Sequence, residues 1–161
     1  MHGLELTMYE ISRLFMTPVL ILISLLFGYA LFSLGSFLVE AILRLRGHAV
    51  SALAAYQRRT NCSSEDLELW ILGRLELLRI ATRTAPMLGL VATMIPMGPA
   101  LLALSANDAT GIGENLVIAF AAVIIALVSA SITFAILTVR RRWLLTELRS
   151  IERIAHQENA A

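Results

Sequence analysis

The sequence predicts an all-α membrane protein. It should have three transmembrane helices, a cytoplasmic helical hairpin extension between spans one and two, and a C-terminal amphipathic helix. Three observations lead there. Hydrophobic residues make up 58% of the 161-residue chain and charged residues only 16%, far from the balance of a soluble domain. Three stretches, Leu14–Val39, Thr84–Asn107 and Asn115–Val139, contain no Asp, Glu, Lys, Arg or His, and each exceeds the roughly 20 apolar residues that cross the hydrocarbon core. The basic residues, all arginine, fall almost entirely in two segments outside those stretches.

The first span is placed at residues 14–39. It is too long for the apolar core of a signal peptide, and Arg13 beside Glu5 and Glu10 makes no basic leader, so it is expected to be retained. The second and third spans are placed at 85–106 and 115–139. Segment 40–83 holds Arg44, Arg46, Arg58, Arg59, Arg74, Arg79 and Arg83, and the tail holds Arg140, Arg141, Arg142, Arg149 and Arg153. The loop 108–114 holds only Asp108 and Glu114, and the N-terminus only Arg13. Cytoplasmic loops collect arginine. The N-terminus is therefore expected outside, 40–83 and the tail in the cytoplasm, and the whole chain in the plasma (inner) membrane as one domain, 1–161.

Between spans one and two, Glu40–Arg59 has helical periodicity, with Ile42, Leu45, Val50, Leu53 and Ala54 near one face. A break follows at TNCSS, where Ser63 or Ser64 can cap a second helix, with Glu65 and Asp66 in its first turn. That helix sets Leu67, Ile71, Leu75 and Leu78 on one face. The two arms, each about 20 residues and roughly 30 Å long, are expected to form an antiparallel hairpin over 40–83. The tail 140–157 is amphipathic, with Trp143, Leu144, Leu148, Ile151 and Ile154. Arg140, Arg141 and Arg142 are expected to meet lipid head groups, although positive-inside anchoring alone accounts for them.

Other chemistries find little support. Cys62 is the lone cysteine, so no intrachain disulfide can form, and a bland loop residue is the simpler reading. His2, His48 and His156 are scattered, without partners at ligand spacing. No phosphate loop or nucleophile motif is visible. The chain is expected to be no enzyme and to use no metal, cofactor or nucleic acid. The spans themselves lack any ionisable side chain. Such residues normally mark ion paths, so in any ion transport the titrating group must come from another chain.

The second span is unusual. Ala85, Gly89, Thr93, Pro96, Ala100 and Ala103 follow one another at helical spacing, and so do Ala119, Ala122, Ala126, Ser129 and Thr133 in the third. Small faces let membrane helices approach closely, which is reason enough for them. The functional alternative is that both stripes line a shared groove or pore. Pro86 fits a first turn, whereas Pro96 and Pro99 lie inside the helix, strip the carbonyls of Ala92 and Ile95 of their donors and predict a kink beside Thr93.

The stretch APMLGLVAT resembles the second-span signature of the MotA/TolQ/ExbB proton channel family, approximately APLLGLLGT. Ala85, Pro86, Leu88, Gly89, Leu90 and Thr93 match it. The resemblance implies a homo-oligomer, a pentamer, with spans two and three around a central pore. It also implies an ExbD/TolR-like single-span partner whose intramembrane aspartate carries the proton. Thr93 would then be a hydroxyl facing the pore. Ala92 stands where the family has glycine, and Ala119 where its third span has threonine. These departures keep open a non-conducting scaffold subunit with the family fold. An accessory subunit of an unrelated transporter is the third reading.

Overall fold

The computed structural model describes residues 2–46 and 64–160. Among them it has three α-helices and no strand: α1 (His2–Leu45), α2 (Ser64–Ser105) and α3 (Ala109–Ala160). Each contains a segment long and apolar enough to cross a membrane: Leu14–Leu45, Asp66–Ser105 and Ala109–Arg153.

The helices are longer than the uncharged runs that announce them. α1 begins far ahead of Leu14 and passes through Pro18. α3 carries on through Arg140, Arg141 and Arg142 without a break, so residues 140–157 continue the third span rather than forming a separate helix. Charge marks where a helix leaves hydrocarbon, not where it ends, and arginine, leucine and glutamate are good helix formers. Likewise α2 starts at Ser64 and runs unbroken into the second span, so the helix expected after the TNCSS break is present and continuous with that span. Of the first arm, the part up to Arg46 is described; Val50, Leu53, Ala54 and the break at Cys62 lie outside the described residues.

The turn between α2 and α3 is shorter than the expected 108–114 loop, because one residue serves both helices. Asn107 takes a left-handed φ of 53°, a conformation that asparagine tolerates better than most residues. The Asp108 N–H then donates to the Ala103 carbonyl at 2.9 Å and the Asn107 N–H to that of Leu104 at 3.2 Å. This pair of bonds closes a helix C-terminus of Schellman type. Asp108 at once caps α3: its Oδ1 accepts from the Gly111 N–H at 3.0 Å, and its carbonyl accepts from Ile112 at 3.2 Å. A Cβ on Gly111 would run into the Asp108 carboxylate, so a side chain there would make the capping carboxylate shift.

The chain divides into two compact units, Met1–Phe32 with Ala81–Ile132 and Ser33–Ile80 with Thr133–Ala161. In the first, Val19, Ile23, Ala92, Ala122 and Ala126 form a buried cluster, with Leu20 and Leu88 packed against it. In the second, Leu67, Ile71, Leu75 and Leu78 are all buried, the face that their spacing predicts. Ile136, Leu144 and Leu148 are buried in the same unit.

Candidate functional site: the small faces of the second and third helices

Most positions of the two small-residue stripes are buried in the first unit. Gly89 comes so close to α3 that a Cβ built on it would stand 2.9 Å from Ala126 Cβ and 3.3 Å from Val123 Cγ2. No real side chain accepts a carbon at 2.9 Å, so glycine sets the distance between the helices here. Where no water is expelled on association, such close approach is the main source of attraction between membrane helices.

The nine residues expected along an ion path separate on this basis. Gly89, Pro96, Ala100, Ala119, Ala122, Ala126 and Ser129 are buried in the first unit, and Thr133 is buried in the second. Thr93 is half-buried. On α2 it borders the exposed Leu90 and Met97, which lie a turn to either side of it. Its hydroxyl donates to the Leu90 carbonyl at 2.7 Å. It therefore does not serve the carbonyls of Ala92 and Ile95, which Pro96 and Pro99 leave without their usual donors. Its oxygen retains acceptor capacity. Ser129 similarly donates to its own helix, at Ile125, 2.7 Å away.

α2 stays helical through Pro86, Pro96 and Pro99. Pro96 is among the most deeply buried side chains, whereas Pro86 and Pro99 are half-buried. The large residues point elsewhere: Met87, Leu90, Met94, Met97 and Leu101 make an exposed stripe down α2.

The three arginines after the third span do not act alike. Arg141 and Arg142 are exposed. Arg140 turns instead to α1: its Nη2 lies 3.0 Å from Glu40 Oε2 and 3.3 Å from Ser36 Oγ. Arg44 joins the same set, 2.7 Å from Glu147 and 3.4 Å from Glu40. Trp143 stacks on Phe37 with ring centroids 5.4 Å apart and planes at 12°. Arg44 lies over its ring at 4.6 Å. Sequence reasoning missed this cluster. Its one local signal is the Glu40–Arg44 spacing; the link to Arg140 spans 100 positions. Among the described residues, no group of His, Cys, Asp or Glu could hold a metal ion.

Residues 48–153 match the family model of the MotA/TolQ/ExbB proton channel family. The match takes in α2, the turn, and α3 as far as Arg153, and so includes every residue of the small faces. Comparison with curated proteins and with solved structures gave no significant match.

Proposed function

Because the chain belongs to the MotA/TolQ/ExbB proton channel family, we propose that this multi-pass membrane protein is the stator or channel subunit of an inner-membrane motor complex driven by proton-motive force. Five copies surround the transmembrane helices of an ExbD/TolR-like partner, and a partner aspartate binds the transported proton. The N-terminus lies outside and the C-terminus in the cytoplasm. The observation that carries this reading is chemical: three spans without any ionisable side chain, and on the second a half-buried hydroxyl, Thr93, at the edge of an exposed apolar stripe.

The division of labour follows from burial. Thr93 is the ion-path residue whose side chain remains partly open. With its hydrogen donated to Leu90, its oxygen suits a hydrogen bond from a protonated carboxylic acid and offers a carboxylate no donor. Thr93 therefore distinguishes the two charge states of the partner aspartate. Gly89, Pro96, Ala100, Ala119, Ala122, Ala126, Ser129 and Thr133 contribute by fixing how the helices pack. Arg141 and Arg142 hold the inner boundary against anionic head groups.

Partner-dependent proton flux in proteoliposomes tests this. Thr93→Val, nearly the same shape without the hydroxyl, should abolish it; unchanged flux would remove Thr93 from the mechanism. One observation favours a second reading, a non-conducting scaffold subunit. Ala119, where the family pattern carries threonine, is buried and 3% exposed, so the third helix places no hydroxyl at that level. Absence of flux from an intact complex with its partner would select the scaffold.

A further inference from the structure

In the second unit, α1 and α3 meet through side chains in a strict order. Along α1 come Ser36, Phe37, Glu40 and Arg44; along α3 come Arg140, Trp143 and Glu147. Both sets advance in the same direction, so the helices run parallel. Arg140 reaches Ser36 and Glu40, Trp143 lies against Phe37 and Arg44, and Arg44 reaches Glu147. The charges read acid then base on α1 and base then acid on α3.

The geometry points to a register lock: this order admits one axial setting of α1 against α3 and resists sliding by a turn. The elementary slip of a helix along its neighbour is one turn, about 5.4 Å. A slip in one direction carries Arg140 from Glu40 to the level of Arg44, two like charges. A slip in the other carries Glu147 toward Glu40 and takes Arg140 away from its carboxylate. Both alternatives lose an ion pair and create a repulsion. The lock also has a steric part. Phe37 and Arg44 stand two turns apart on α1, and Trp143 occupies the space between their levels, stacked on one and covered by the other. A slip would withdraw the indole from both. The ionic members are neither sealed nor fully open: side-chain exposure is 23% for Arg44, 17% for Glu147 and 21% for Arg140. They thus keep water for solvation while sitting in a medium less screening than bulk. The consequence is that the charged parts of α1 and α3 move as one piece under axial load.

The test reads axial position, not flux, and so stands or falls apart from the channel reading. Spin labels go on the exposed Leu38 and Leu145 through Leu38→Cys and Leu145→Cys in the full chain carrying Cys62→Ser. Labelled chains are diluted with unlabelled ones in liposomes. With the native ladder, the label distance should be single and narrow. Glu40→Gln should broaden it. Glu40→Arg should add a population displaced by about 5 Å, one helical turn. Glu40→Arg with Arg140→Glu should return the single narrow distance. If Glu40→Arg fails to fold, recovery of folding and of the narrow distance in the double variant supports the lock equally. A distribution unchanged in both Glu40→Gln and Glu40→Arg, or a double variant no better than the single one, overturns it.

Discussion

The two units of the chain hold their helices together by opposite means. In the first, Gly89 against Ala126 and Val123 brings backbones close, with no charge nearby, and the cluster is completed by Ala92, Ala122, Val19 and Ile23. In the second, α1 and α3 are joined by Glu40, Arg44, Arg140 and Glu147 around a Phe37–Trp143 stack. The contrast teaches which force is available where. Within hydrocarbon, apolar surface gains nothing by leaving lipid, and charges are prohibitive; close contact of small residues is what remains. Where water can reach, arginine and carboxylate can be solvated, and directional ion pairs join the packing of apolar surfaces.

The sharpest way to break the first mode is to enlarge Gly89. Gly89→Leu should cost more than about 3 kcal/mol and prevent native packing, while Gly89→Ala should cost about 1–3 kcal/mol. Ala126→Gly should restore part of the Gly89→Ala loss, because the nearest obstacle is the Ala126 methyl. Thermal unfolding in detergent measures all three. Next in size is Trp143→Ala, which removes both the stack on Phe37 and the seat of Arg44. A loss of about 2 kcal/mol is expected for a half-buried tryptophan with a cation over its ring. Salt then sharpens the comparison. The stability cost of Glu40→Gln should shrink as ionic strength rises, since half-exposed pairs are screened, and that of Gly89→Ala should not change. Asp108→Ala follows, with about 1 kcal/mol for the lost cap on Gly111. Thr93→Val comes last: its hydroxyl bonds only within its own helix, so stability should shift by less than about 0.5 kcal/mol. Flux is where its effect is expected.

Much of this fold is legible in the sequence, and for physical reasons. Uncharged runs of bilayer length can hardly be anything but spans. The spacing of Leu67, Ile71, Leu75 and Leu78 places them on one face, and that face is buried. The small stripes are likewise legible as faces; what they face is not, because close packing and a lined pore ask for the same residues. The helix ends were obscured for another reason. Arg140–Arg142 report on the solvent around the helix and not on its backbone, and the economy of the turn depends on Asn107 taking a left-handed φ. Least legible was the ladder: Glu40 and Arg140 each look like ordinary boundary charges until the fold sets them 3.0 Å apart. For the candidate site, the motif around Thr93 is visible in the sequence, whereas its half-open position beside the exposed Leu90 and Met97 needed the structure.

The central claim is that this chain encloses a partner that brings the carboxylate its own spans lack. The native mass of the complex extracted from the membrane, with the identity of whatever copurifies, tests it most directly. The account predicts a five-fold ring holding a single-span protein with an aspartate inside its membrane helix. A monomer or dimer with no such protein would contradict it.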